Sequence, residues 1–169
     1  MSNYKVHFSS GFLLSLAVCY TIMDKLSNCV FGYKFNIITY IIICVMCCLG
    51  SLLPDIDHPN SKLGSKIKPI SNEINIVFGH RTITHSIVVN TFFIAIIFIW
   101  CLMNFNGDYN ILISIISLYM GIICHILFDM ATPSGVPIFY PITNKKYKLQ
   151  KYPMIIVAVF LIIYVLAYI

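Results

Sequence analysis

The chain has 169 residues, 59% of them hydrophobic and only 10% charged, where ordinary soluble domains are roughly 45–50% apolar and about 25% charged. Its mean hydropathy is +0.88, more apolar surface than a soluble fold of this length can hide, so the bilayer is its solvent and residues 1–169 read as a single integral membrane domain. The net charge of +5 does not point to nucleic acid, because the lysines and Arg81 sit in the connections beside apolar runs, a pattern of topology and headgroup contact.

The first apolar stretch begins after Lys5 and His7. Phe12 to Val18 could be a signal-peptide core, but one preceding lysine, a valine just before Cys19 and no A-x-A site predict an uncleaved segment. Five stretches then approach the ~20 apolar residues of a spanning helix: Phe8–Met23, Asn36–Leu53, Ser86–Met103, Asn110–Phe128 and Pro153–Ile169. Their isoleucine richness does not argue for strands, since an open sheet edge in lipid leaves backbone polar groups unsatisfied. The expectation is an all-α polytopic bundle of about five transmembrane helices. The seven cysteines are odd in number and mostly inside these runs, which suits packing; Cys44-x-x-Cys47-Cys48 has no partner pair for a metal or redox site.

Two short connections, Asp24–Phe35 and Asn104–Asn110, alternate with two long ones, Pro54–His85 and Asp129–Tyr152. Strict alternation of helix direction puts the N-terminus and both long loops on one side. That side holds nine of the eleven Lys and Arg, all five histidines, and Asp55, Asp57, Glu73 and Asp129. The positive-inside rule makes it cytoplasmic, with the N-terminus in and the C-terminus out.

Four segments on that side carry chemistry. His7 opens the first helix. Pro54-Asp55-Ile56-Asp57-His58-Pro59 holds three metal-competent side chains between two prolines; if extended, it aims Asp55 and Asp57 the same way. Gly79-His80-Arg81-Thr82-Ile83-Thr84-His85-Ser86 precedes the third span, with Thr84 or Ser86 available as a helix cap and Arg81 able to fork onto phosphate oxygens. His85 is the preferred ligand there, ahead of His80. His125 and Asp129 lie four apart at the end of the fourth span, on one helix face, where they can share one divalent ion or two adjacent ones. A serine hydrolase through Ser86 or Ser134 lacks a G-x-S-x-G elbow. There is also no P-loop and no G-x-G-x-x-G.

His7, Leu52-Leu53-Pro54-Asp55-Ile56-Asp57-His58-Pro59, the Gly79–Ser86 run, and His125-Ile126-Leu127-Phe128-Asp129 running into Thr132-Pro133-Ser134-Gly135-Val136 together resemble the bacterial YdjM-type inner-membrane family. The resemblance covers most of the chain in the same order. It implies a metal-dependent hydrolase of the inner membrane, distantly similar to the all-helical zinc-dependent phospholipase C and P1-nuclease group. The His-x-x-x-Asp pair of that group matches His125 and Asp129, and Asp55 or Asp57 matches its bridging carboxylate.

The expected function is therefore hydrolysis of a phosphoester, with a membrane lipid as a candidate substrate, at the cytoplasmic membrane face. Zinc or another divalent metal would be held by His7, Asp55 or Asp57, His85, His125 and Asp129. Asp55, Asp57 or His58 would serve as general base, and Arg81, with Lys66 or Lys68, would neutralise developing charge. The rival readings are a membrane transporter and a metal-binding membrane protein without catalysis. Substrate, metal number and oligomeric state are not legible.

Overall fold

The computed structural model describes Phe12 and residues 36–149. Apart from Phe12, the first and fifth expected spans lie outside the described residues, as does His7. The described residues form four α-helices and two 3₁₀ turns. No strand occurs among them, only a single bridge between Val136 and Tyr147.

Three helical segments are long and apolar enough to cross a membrane: Ile37–Asp57, Ile87–Asn104 and Tyr109–Met130. They match the second, third and fourth expected spans. Helix α1, Ile37–Gly50, starts at Asn36, whose side chain accepts from the Thr39 amide, and it runs through Ser51 and Leu52 into the 3₁₀ turn Leu53–Asp57. The long connection that follows is partly helical: it contains a second 3₁₀ turn, Gly64–Ile67, and helix α2, Lys68–Phe78, with Pro69 in its first turn. Helix α3, Ile87–Asn104, is capped by Ser86, the hydroxyl cap anticipated from the sequence. Helix α4, Tyr109–Met130, is capped by Asp108. A tight turn with Asn106 and Gly107 at positive φ joins α3 to α4.

An extended Asp55-Ile56-Asp57 with both carboxylates on one side does not form. Pro54 opens a 3₁₀ turn, and at three residues per turn positions i and i+2 point about 120° apart. The two aspartates therefore have different destinations.

Helices α1 and α4 cross at two glycines. A methyl group on Gly50 would lie 2.0 Å from the Leu118 carbonyl oxygen, and one on Gly121 would lie 2.1 Å from that of Cys47. Small residues allow this backbone approach, which is how helices pack in lipid where no hydrophobic effect drives them together. At the far end Thr39 donates to the Asn110 side chain over 3.3 Å, fixing the register. Below the crossing Ile122, Ile126, Met130 and Val136 form a core that Leu53, Ile87 and Ile138 extend. Residues 131–149 are tied to it by backbone bonds from Leu149 to Met130 and from Ile87 to Ile138, at 2.8 and 2.9 Å. Phe92, Phe93, Ile96, Ile97 and Trp100 of α3 face outward among the described residues.

Bringing these elements together puts the end of α1, the start of α3 and the end of α4 at the same end of the bundle. If the glycine crossing sets that geometry, Gly121→Ala lowers stability in detergent by about 1–3 kcal/mol, the usual cost of overpacking, despite alanine's better helix propensity. Chemical or thermal unfolding reads the effect, and an unchanged or raised midpoint would mean that the crossing has slack.

Candidate metal centre

Helix α4 ends with His125 and Asp129 on one face, both fully buried, with Nε2 of the first 3.7 Å from Oδ2 of the second. The Nδ1 atom of His125 lies 2.7 Å from the carbonyl oxygen of Ser51. A carbonyl can only accept, so Nδ1 carries the hydrogen and the Nε2 of neutral His125 presents a lone pair to the interior. The α1–α4 crossing is what carries Ser51 to this position.

His85, also fully buried, is held in the same sense by a different route. Thr84 donates its hydroxyl hydrogen to Oδ2 of Asp57 over 2.6 Å, which leaves its oxygen to accept from Nδ1 of His85 at 2.9 Å. The same Nδ1 faces Oδ2 of Asp57 at 3.5 Å. Nε2 of His85 is thus turned inward, 3.2 Å from Nε2 of His125 and 3.1 Å from Oδ2 of Asp129. Asp55 completes the group, its Oδ1 lying 3.7 Å from Nε2 of His125.

Two imidazole lone pairs and two carboxylates therefore meet at one point, and beyond the Arg81 guanidinium paired with Asp129 they favour a further positive charge among them. Without a metal that charge is a proton. Burial disfavours it on His85, but the Asp129 and Asp57 carboxylates outweigh burial and hold the His85 pKa above the ordinary histidine value. With a metal, the ligand atoms of Asp55, His85 and His125 all lie within 4.8 Å of one another. The 3.2 and 3.7 Å separations bracket the ~3.3 Å edge of a tetrahedron with bonds near 2.0–2.1 Å. Nitrogen and oxygen donors in a two-histidine, one-carboxylate set suit zinc or a similar divalent ion. The hydrogen bonds on both Nδ1 atoms are the outer partners that orient metal-binding histidines.

Asp57 leaves the ligand group to Asp55 and organises the surrounding loop instead. Its Oδ1 pairs with Nδ1 of His80 at 2.9 Å, and its Oδ2 accepts from the Arg81 amide at 2.8 Å as well as from Thr84. Arg81 sits at φ 61, an uncommon conformation for a side-chain-bearing residue, which lets its amide meet Asp57 while its side chain reaches Asp129. Its Nη2 donates to Oδ1 of Asp129 over 2.9 Å, and its Nη1 donates to the hydroxyls of Thr132, at 3.2 Å, and Ser134. His58 packs edge-on against His80, with ring centroids 4.9 Å apart, and its Nδ1 accepts from the Asn60 amide.

Of the residues singled out by sequence, Asp55, Asp57, Arg81, His85, His125 and Asp129 come together, while His58 and His80 form an outer layer. Lys66 and Lys68 are exposed near the start of α2. Sequence reasoning missed Ser51, Asn75, Thr84 as a bridge, and the Thr132–Ser134 clamp on Arg81. Thr84 and Ser134 lie inside recognised motifs, which was a usable signal; a backbone carbonyl 74 residues from His125 gives none.

An all-helical membrane protein with a buried histidine–carboxylate centre at one end of its bundle is the class that fold and site define. The chain belongs to the YdjM inner membrane protein family, whose model matches residues 1–169. It is 41% identical over 93 residues to inner membrane protein YdjM of Escherichia coli (strain K12) and, equally, of Shigella flexneri; the match takes in 55% of this chain, which spans about half (46%) of the length of those relatives. It is 30% identical over 122 residues to YvsG of Bacillus subtilis (strain 168), covering 72% of this chain and 71% of that protein. No solved structure matches. These matches do not show the more distant likeness to phospholipase C and P1 nuclease that the motifs imply.

The raised His85 pKa fixes a pH dependence. In the metal-free protein, the stability gained from the His85 imidazolium is fully present below the ordinary histidine pKa of about 6.5 and is lost as pH rises through the elevated value. A divalent ion displaces that proton, so its affinity rises with pH over the same window. Competitive zinc titrations at a series of pH values should show tighter binding at higher pH, with about one proton released per ion through His85; pH-independent affinity would contradict the assignment.

Proposed function

We propose that this protein is a metal-dependent hydrolase that cleaves a phosphoester at the membrane face. The observation that carries the reading is the inward convergence of the two Nε2 atoms, 3.2 Å apart, beside Asp55 and Asp129. Among the described residues Asp55, His85 and His125 form a three-donor group, and three protein donors with an open position are the pattern of catalytic zinc sites. A divalent ion there would supply Lewis-acid chemistry, acidifying water and polarising a phosphoryl oxygen.

The side chains of the chain divide the remaining work. His125 and His85 are fixed in the tautomer that binds metal by the Ser51 carbonyl and the Thr84 hydroxyl. Arg81 is held in the site by Asp129, Thr132 and Ser134 through its terminal nitrogens, while its Nε is buried with no hydrogen-bond partner among the described residues. A buried donor left over beside a metal group suits an anionic ligand, and a phosphoryl oxygen is the acceptor that would complete it. Asp55, partly open to solvent, would help to hold the ion and is the carboxylate that water can reach to lose a proton. Asp57 is less suited to that role because both of its oxygens are engaged. His58 lies in the outer layer.

The test is turnover of a generic phosphodiester by purified protein in zinc-loaded nanodiscs. His125→Ala should lose both metal and activity. Arg81→Lys keeps the charge but not the fork; it should retain metal and lose about 10²–10³-fold in kcat, the scale of removing one transition-state donor. Stoichiometric metal with no turnover of any phosphoester would leave a metal-binding membrane protein and end the hydrolase reading.

A further inference from the structure

Helix α2 is the described helix that cannot span, and its side chains are arranged for a different surface. One side faces the site: Ser71 is fully buried and the Asn75 amide donates to the Asp57 carbonyl over 2.7 Å. Around the rest of the helix Ile70, Ile74, Val77 and Phe78 recur at i, i+4, i+7 and i+8, an apolar stripe, with Ile76, 81% exposed, as the one apolar residue of the helix off it beside Pro69. Three of the four are exposed, Ile70 at 55%, Val77 at 68% and Phe78 at 40%. Lys62, Lys66 and Lys68 are exposed at its leading end, and Glu73 is the only acid between His58 and Arg81.

Short connections hold α2 near the ends of two spans. Ten residues separate it from the span ending at Asp57 and eight from the span beginning at Ile87, counting 58–67 and 79–86. The Asn75 bond pins it to the end of the first of these. Exposed Phe139 and Ile142, followed by exposed Lys145, Lys146 and Lys148, repeat the pairing of apolar and basic side chains in the loop after α4.

We propose that α2 is an interfacial helix, its Ile70–Phe78 stripe seated in an anionic phospholipid leaflet and its lysines against the headgroups. An apolar stripe with a basic flank, tethered at membrane depth, is the design that lies in the headgroup plane, and each lysine near an anionic surface adds to the attraction. Lipid headgroups then lie beside the histidine–carboxylate centre. This inference does not rest on metal chemistry, and either reading can fail without the other.

The experiment places p-benzoylphenylalanine at Ile70, at Val77, or at exposed Asn72 on the opposite flank in the full chain. Each protein is irradiated in nanodiscs of mixed phosphatidylcholine and phosphatidylglycerol. Lipid adducts are expected at Ile70 and Val77 and not at Asn72, with phosphatidylglycerol enriched several-fold over its bulk share. That enrichment should fall to the bulk ratio in the Lys62→Gln, Lys66→Gln, Lys68→Gln triple variant. Adducts at Ile70 and Val77 to another segment of the chain or to a second copy would overturn the proposal, as would equal lipid labelling at all three positions. Enrichment that survives the triple variant would overturn the anionic recognition.

Discussion

The arrangement of this bundle turns on the orientation of two imidazoles. His125 gives its Nδ1 hydrogen to the Ser51 carbonyl and His85 gives its own to the Thr84 hydroxyl, so both rings have their Nε2 atoms turned toward each other and toward Asp55 and Asp129. Lone pairs and carboxylates crowded at a buried point repel one another unless a cation lies between them, and leaving buried charge uncompensated costs several kcal/mol. A proton on His85 or a divalent ion meets the need, and the two compete. The centre is thereby linked to both pH and metal supply.

Helix packing and loop chemistry each deliver one ring. Without the close Gly50–Gly121 crossing, Ser51 would not reach His125. Without the Asp57 network, the 79–85 loop would have nothing to fix it, since Asp57 gathers the His80 ring, the Arg81 amide and the Thr84 hydroxyl. Arg81 then connects that loop to Asp129 and the Thr132–Ser134 turn on the far side. The polar network therefore joins segments that lipid-facing packing alone would leave loosely placed.

Much of this was legible in sequence because crossing a bilayer leaves few choices. Apolar length marked α1, α3 and α4 to within a few residues, and counting crossings brought Asp55, His85, His125 and Asp129 to one end of the bundle. Their spacing of four put His125 and Asp129 on one face. Division of labour between Asp55 and Asp57 was not legible, since it depends on a 3₁₀ turn begun by Pro54 where an extended segment was equally compatible with the residues. Helix α2 was hidden because only four of its apolar residues keep the helical period, while Ile76 falls off it within a polar stretch. The orienting role of Ser51 depends on a backbone atom, to which side-chain patterns are blind.

The central claim is that His85 and His125 together bind one ion. X-ray absorption of the zinc-loaded protein in nanodiscs tests it most directly, because imidazole rings give a distinctive multiple-scattering signal. The account predicts a nitrogen/oxygen shell at ~2.0–2.1 Å containing two imidazoles, reduced to one or lost with the metal in His125→Ala. A zinc shell with no imidazole contribution, or one unchanged by that substitution, would contradict it.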